Sequence, residues 1–163
     1  MRALARAVVL AVLTQGCGGA TSSSDAPEGA LDASRIWSIA IGVSQYQHTD
    51  LSLDFAHRDA AAIDAFFASS AGGEVPAERR VLLLDDQATR SATLTALNDF
   101  ARRSAPEDML VLFFAMHGFP DAGGDLYFLT YDTDPKQLVG TGLPQRDVEY
   151  VLRRAGAERI VLL

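Results

Sequence analysis

Cysteine is almost absent from this sequence: Cys17 is the only one among 163 residues, so no disulfide can form within the chain. Basic residues are also in the minority, with 14 Lys and Arg against 21 Asp and Glu, and the net charge is −7. Because such a chain offers no basic surface for phosphates, we expect no nucleic-acid partner. No apolar run reaches the roughly 18 residues that an ordinary transmembrane helix requires.

Three motifs that would identify a chemistry at once are also missing. The sequence contains no Gly-x-Ser-x-Gly elbow, no phosphate-binding P-loop and no zinc-type cluster of cysteine and histidine. Apolar residues, in contrast, are abundant at 48%. A chain of this length corresponds to one domain, and this apolar content is sufficient for a core without disulfides. We expect a single folded domain that needs no cofactor.

The first 17 residues have the layout of a bacterial secretory signal. Arg2 and Arg6 form a positive region, and the short apolar run Ala7–Leu13 follows it. Gly16-Cys17 then resembles the lipoprotein box, in which the cysteine is lipidated and becomes the mature N-terminus. We expect export to the cell envelope as a lipoprotein anchored through Cys17. The alternative is a plain cleaved signal and a periplasmic or secreted protein.

Residues 18–35 are interpreted as a flexible linker. They are rich in Gly, Ser, Ala, Asp and Pro. Such a composition buries too little apolar surface to offset the entropy of the ordered chain. The folded domain is therefore expected over residues 36–163.

Strands and helices are expected to alternate along that domain. Compact apolar runs predict strands, and apolar residues at helical spacing predict helices. The predicted strands are Ile36–Val43, Val81–Leu84, Met109–Ala115, Leu126–Leu129 and Ile160–Leu163. The predicted helices are Asp54–Ser69, a second one capped by Thr89 or Ser91, and Pro144–Ala155. Met109–Ala115 is the most apolar run and is expected to be a central strand. The alternation predicts an α/β fold with a mostly parallel sheet.

Polar turns follow several of these strands, and in open α/β sheets the edge formed by the strand carboxyl ends carries the site. His117-Gly118 directly follows the predicted central strand. A histidine at this place can act as a general base. The glycine lets the backbone approach a ligand, and its N–H can point into a site. A histidine that only completes a turn is the alternative.

The order of the segments resembles that of the caspase, metacaspase and paracaspase superfamily of cysteine peptidases, over residues 36–163. The segments are IAIGVSQY, LDFAHRDAAAIDAFF, VLLLDDQATRSATLTAL, DMLVLFFAMHG, DLYFLTYD and RIVLL. That superfamily has a Gly-x-x-x-Tyr-like turn, an Asp-Ala that opens the first helix and a Leu-x-Asp-x-x-Ala-Thr segment. An apolar strand then leads into Ser-Gly-His-Gly. The resemblance implies a caspase-like three-layer α/β/α sandwich.

The resemblance also implies roles for individual residues. His117 corresponds to the histidine of a catalytic Cys-His dyad, and Gly118 to the backbone N–H donor of the oxyanion hole. Ala115-Met116 stands where the family usually has Ser-Gly. Asp59 falls on the aspartate with which metacaspases and paracaspases bind a basic substrate residue before the cleaved bond (P1). The alternative for Asp59 is that it stabilises its helix through the dipole.

The nucleophile expected from the resemblance is not among these residues. The family carries its cysteine in Asp-x-Cys-x-Gly, about 50 residues after the histidine, and that spacing ends just past Leu163. We therefore expect a cysteine endopeptidase whose domain is incomplete at its C-terminus, so that the chain as given is inactive. One alternative is a non-catalytic caspase-like interaction module tethered to the cell envelope. A different α/β hydrolase or a phosphotransferase is another.

Two aspartates after a predicted strand give a weaker signal. Tyr131-Asp132-Thr133-Asp134 resembles the start of a phosphotransferase Asp-x-Asp motif, but Lys136 stands where that motif expects Thr or Val. We interpret Asp132 and Asp134 as turn residues, with weak calcium binding as the alternative. We expect the partner to be a protein or peptide substrate. We expect contact with a membrane only through the lipid anchor.

Overall fold

The computed structural model describes residues 32–48 and 51–163. The predicted signal segment with Cys17, and residues 18–31 of the predicted linker, lie outside these residues. A 3-10 turn, Ala33–Arg35, leads into the first strand. Within the described part of the chain, no helix is long and apolar enough to cross a membrane.

The order of strands and helices follows the predicted alternation. The strands are β1 (Ile36–Gly42), β2 (Arg80–Leu84), β3 (Met109–Ala115), β4 (Gly118–Pro120), β5 (Leu126–Phe128), β6 (Leu143–Pro144) and β7 (Arg159–Leu162). The helices are α1 (Ala56–Ala68), α2 (Arg90–Arg103), α3 (Leu138–Thr141) and α4 (Gln145–Leu152). Each strand and helix predicted from the apolar patterns is present, with ends that differ by a few residues.

Four strands form a parallel sheet in the order β2-β1-β3-β7. The prediction of β3 as an interior strand is confirmed, and β1, beside it, is buried at every residue. Three strands end at the same level, because Gly42 lies in register with both Leu84 and Ala115. The loops after β1, β2 and β3 therefore leave the sheet side by side, at what we call the carboxyl edge.

The core consists of two clusters on opposite faces of this sheet, because successive side chains of a strand point to opposite faces. The larger cluster joins β1 and β3 to α2 and α4 through Ile39, Ile41, Leu97, Phe100, Leu110, Leu112 and Val148. The smaller cluster joins them to α1 through Ile36, Phe67 and Val111. One helix layer thus lies on each face, which confirms the α/β/α arrangement.

The short strand β5 lies outside the parallel sheet. It forms the middle of a small antiparallel sheet in the order β4-β5-β6. Strand β4 was not among the predicted strands, since Gly-Phe-Pro carries no alternating apolar pattern. Its hairpin with β5 is closed by Asp121, whose carboxylate oxygen Oδ1 accepts the N–H groups of Gly123 and Asp125. This hairpin fixes the backbone that follows His117.

The two long helices begin in different ways. Thr89 caps α2, since its Oγ1 accepts the N–H of Ala92 at 3.2 Å, and the choice between Thr89 and Ser91 is thereby settled. Helix α1 receives no side-chain cap from its own N-cap residue, Phe55. It lies very close to the end of β1 instead: a Cβ added at Gly42 would be 2.3 Å from the carbonyl oxygen of Ala56. Only a glycine permits this approach.

Trp37 closes the opposite end of the sheet. It is 4% exposed, and its indole N–H donates a hydrogen bond of 2.9 Å to Oδ2 of the buried Asp108. The guanidinium carbons of Arg79 and Arg103 lie 4.7 and 4.8 Å from its ring centroid. Phe100 packs edge-on against it with centroids 5.0 Å apart. Charged and aromatic groups thus enclose the indole ring.

Candidate active site

The loop after β1 is bound to the loop after β2 by one carboxylate. Oδ1 of Asp85 accepts the N–H of Ser44 at 2.7 Å and the N–H of Gln45 at 3.0 Å. Asp85 itself has a φ of 42°, in the left-handed region that residues with a side chain seldom adopt. Such conformations cost about 1–3 kcal/mol and persist where the surroundings enforce them. The structure therefore maintains a strained residue at this junction.

His117 follows β3, and its backbone is held on both sides. Its N–H donates to the hydroxyl oxygen of Tyr46 at 3.0 Å, and its carbonyl accepts the N–H of Leu129 at 2.8 Å. The imidazole centroid lies 5.6 Å from the centroid of the Tyr46 ring. Nε2 is enclosed and has no hydrogen-bond partner among the described residues. Nε2 is thus a buried, unpartnered polar atom of the kind that marks a functional site.

Tyr46 has an unusual environment for a phenol. The residue is 9% exposed. Burial raises the pKa of its hydroxyl to about 12, and the negative charge of Asp85 acts in the same direction, against the hydrogen bond from the His117 N–H. The hydroxyl therefore stays protonated near neutral pH. It offers His117 a neutral oxygen as hydrogen-bond acceptor.

Gly118 is exposed at the start of β4 and pairs with Phe128 of β5. Hydrogen-bonded and non-hydrogen-bonded pairs alternate along an antiparallel ladder. The bond from Leu129 N–H to the His117 carbonyl makes these two residues a hydrogen-bonded pair. The next pair, Gly118 with Phe128, is therefore non-hydrogen-bonded, and the Gly118 N–H points away from β5. This direction suits an oxyanion donor.

Asp59 lies in the first turn of α1, at the end of the helix that contacts Gly42. Its side chain is exposed, and among residues 32–48 and 51–163 no hydrogen bond or ion pair involves its carboxylate. The structure thus places Asp59 on the helix that begins at the carboxyl edge, where His117 and Gly118 also lie. An exposed, uncommitted carboxylate is available for a cationic group.

Ser44, Tyr46 and Asp85 organise this edge, although no role was predicted for them. Tyr46 is the tyrosine of the Gly-x-x-x-Tyr-like turn, and Asp85 is the aspartate of the Leu-x-Asp-x-x-Ala-Thr segment, so both stand in motifs visible in the sequence. Ser44 is 4% exposed, and its Oγ lies 2.7 Å from Nδ1 of His57. The Ser44 hydroxyl oxygen also accepts the N–H of His57 at 3.1 Å, so it attaches α1 to the loop after β1.

Met116 and the two aspartates after β5 have local structural roles. Met116 packs against the larger core cluster. Oδ1 of Asp132 accepts the N–H of Arg90 and the hydroxyl of Thr130, both at 2.8 Å. Oδ1 of Asp134 accepts the N–H of Lys136 at 2.9 Å, so the interpretation of both aspartates as turn residues is confirmed. The described residues contain no group of three or more His, Cys, Asp or Glu side chains able to hold a metal.

A parallel sheet between two helix layers, with a His-Gly pair at the carboxyl edge after an interior strand, defines a caspase-like α/β domain. The family model described as the caspase domain matches residues 35–148, and the chain belongs to this family. No curated protein matches the chain. Its fold is similar to the crystal structure of a protein from Geobacter sulfurreducens, with a TM-score of 0.61 and 18% identity. The match covers 78% of this chain and 48% of that one, so this chain spans about half the length of its structural neighbour.

Proposed function

We propose that the protein is a cysteine-type endopeptidase of the metacaspase-like class, which cleaves after a basic P1 residue with a Cys-His dyad. Membership of the caspase domain family supports a relationship to the cysteine peptidases. The observation that carries the proposal is the placement of His117. Its backbone is held on both sides at the carboxyl edge, and its buried Nε2 has no hydrogen-bond partner among the described residues.

The proposed reaction assigns one step to each group. His117 accepts the proton of the cysteine thiol, and the thiolate sulfur forms a bond to the carbonyl carbon of the peptide. The Gly118 N–H stabilises the negative oxygen that develops. As the C–N bond breaks, His117 returns the proton to the leaving amine. Water then hydrolyses the acyl-enzyme with His117 again as base, which releases the acid and restores the thiol.

We further propose that the nucleophile follows β7. Strand β7 runs parallel to β3, and Leu162 pairs with Leu112. The pairing continues to Leu163, whose carbonyl accepts the N–H of Phe114 at 3.1 Å. If the same register is kept, the residue 50 positions after His117 lies beside it. This offset agrees with the spacing of about 50 residues between histidine and cysteine in this superfamily. Residues encoded after Leu163 would then supply the cysteine.

The function is tested with the protein that includes the residues encoded after Leu163. It is incubated with fluorogenic peptides that carry Arg, Lys or Asp at P1, with and without iodoacetamide. We expect hydrolysis of the Arg and Lys peptides that iodoacetamide abolishes, and no turnover by the 163-residue chain. Turnover by the 163-residue chain that survives Cys17→Ser would contradict the proposed nucleophile. Stable binding of peptides without cleavage would favour the interaction module instead.

The basic specificity is tested by Asp59→Asn. A carboxylate that binds a P1 guanidinium makes charge-assisted hydrogen bonds, so we expect kcat/KM for Arg peptides to fall roughly 10- to 100-fold. The melting temperature should change little, because Asp59 is exposed and has no described partner. Asp86→Asn, at an exposed carboxylate after β2, is the control for the change in net charge. A lower melting temperature with unchanged kcat/KM would assign Asp59 to the helix dipole alone.

A further inference from the structure

A continuous series of contacts crosses the carboxyl edge from the loop after β2 to His117. It runs from the Asp85 carboxylate to the N–H groups of Ser44 and Gln45, then along the chain to Tyr46, and from the Tyr46 hydroxyl to the His117 N–H. We propose that Asp85 and Tyr46 are positioning residues for His117. The catalytic meaning of this inference rests on the function proposed above.

Asp85 has the properties expected of such a residue. It directly follows β2, an outer strand of the parallel sheet, and its carboxylate reaches the loop after the neighbouring strand β1. Aspartate enters the left-handed region more readily than most residues with a side chain. A charged acceptor also forms stronger bonds with backbone N–H groups than a neutral one does. The strained backbone at Asp85 is thus compensated by two bonds that fix the start of the loop after β1.

Tyr46 connects the loop held by Asp85 to His117. It directly follows Gln45, whose N–H is held by Asp85, so its own backbone starts from a fixed point. Its ring is buried, and its hydroxyl bonds to the His117 N–H while the ring packs beside the imidazole. The His117 carbonyl is held separately by Leu129. Loss of the Tyr46 hydroxyl would therefore release one of the two backbone anchors of His117 and leave the other.

The experiment is amide hydrogen exchange, followed by NMR on the isotope-labelled 163-residue protein. In Tyr46→Phe, we expect the His117 amide to exchange about five- to tenfold faster, as the loss of one hydrogen bond predicts. Asp85→Ala should act in the same direction. Asp85→Asn should fall between Asp85→Ala and the wild type, because its side-chain oxygen can still accept the two N–H bonds. The melting temperature and the exchange of the Ile39 and Leu112 amides provide the reference for overall stability.

Two matched variants control for the chemical changes. Tyr131→Phe removes the hydroxyl of a half-buried tyrosine, and no hydrogen bond among the described residues involves that hydroxyl. Asp86→Asn neutralises the exposed carboxylate next to Asp85. Neither should change the exchange of the His117 amide. Because Asp85 acts through Tyr46, the double variant Tyr46→Phe with Asp85→Ala should exchange no faster at His117 than Tyr46→Phe alone.

Three results would overturn the inference. The first is an exchange rate of the His117 amide in Tyr46→Phe equal to that in Tyr131→Phe. The second is an exchange rate in the double variant that combines the full effects of both single variants. The third is equal acceleration at His117, Ile39 and Leu112, which would show a loss of general stability only. None of these readouts needs turnover. If the peptidase assay fails, Asp85 and Tyr46 have no catalytic role, but the exchange data can still show that they position His117. Failure of the proposed function and failure of this inference are therefore distinguishable.

Discussion

Replacement of His117 by alanine is expected to lower kcat/KM for Arg and Lys peptides by about 10²- to 10⁴-fold, the range typical for the loss of a general acid-base group. The thiol loses its proton acceptor and the leaving amine its proton donor. The loss should appear in kcat, because the proposed mechanism assigns the imidazole to the reaction itself and not to substrate binding. It is measured from initial rates on the longer protein proposed above, with the cysteine after β7.

The control for this variant is His48→Ala. His48 is exposed on the loop after β1, and no hydrogen bond among the described residues involves its ring. We expect His48→Ala to retain the wild-type kcat/KM and melting temperature. If His117→Ala also kept the wild-type kcat, the assignment of His117 as the proton carrier would be wrong.

Replacement of Gly42 is expected to lower the stability of the fold by a large amount. A Cβ there would lie 2.3 Å from the Ala56 carbonyl oxygen and 2.8 Å from both the Ala60 Cβ and the His57 Cα. Two of these three atoms belong to the backbone of α1, so the helix must move away from β1. Gly42→Ala should lower the free energy of unfolding by about 1–3 kcal/mol, and Gly42→Val by more. Denaturation in urea measures both.

Gly140→Ala is the matched substitution for Gly42→Ala. An added Cβ at Gly140 meets no atom within 4 Å, and the residue lies in the short helix α3. We expect its free energy of unfolding to change by less than about 1 kcal/mol, because alanine has the higher helix propensity and there is no steric cost. Equal stabilities for Gly42→Ala and Gly140→Ala would contradict the close contact between β1 and α1.

The parts of the fold that local patterns determine were predictable from the sequence. β1 and β3 are apolar runs, because strands in the interior of a parallel sheet between two helix layers bury side chains on both faces. β7 is also an apolar run, although its residues are exposed at the edge of the sheet. The β4–β5 hairpin was not predictable, since Gly-Phe-Pro has no strand pattern and its pairing depends on the turn at Asp121. The cap at Thr89 needed the structure to exclude Ser91.

The candidate site was also predictable from the sequence only in part. His117 and Gly118 could be singled out because a His-Gly pair directly follows an apolar strand. The contacts that hold them could not, since Ser44 and Asp85 are 41 residues apart in sequence, and Tyr46 and His117 are 71 apart. These contacts depend on the register that sets Gly42 level with Leu84 and Ala115. No local pattern encodes that register, nor the left-handed backbone of Asp85.

The enclosed indole at the amino end of the sheet gives the protein an internal optical probe. Trp37 is the only tryptophan of the sequence, so all indole fluorescence arises from one environment. Unfolding separates the ring from the Asp108 carboxylate and the two guanidinium groups, and the emission must then change. Trp37 lies five residues before Gly42 on β1, roughly 17 Å along the strand. A ligand at the carboxyl edge is therefore too distant to quench the indole by contact, and the emission reports on the folded state of the domain around Trp37.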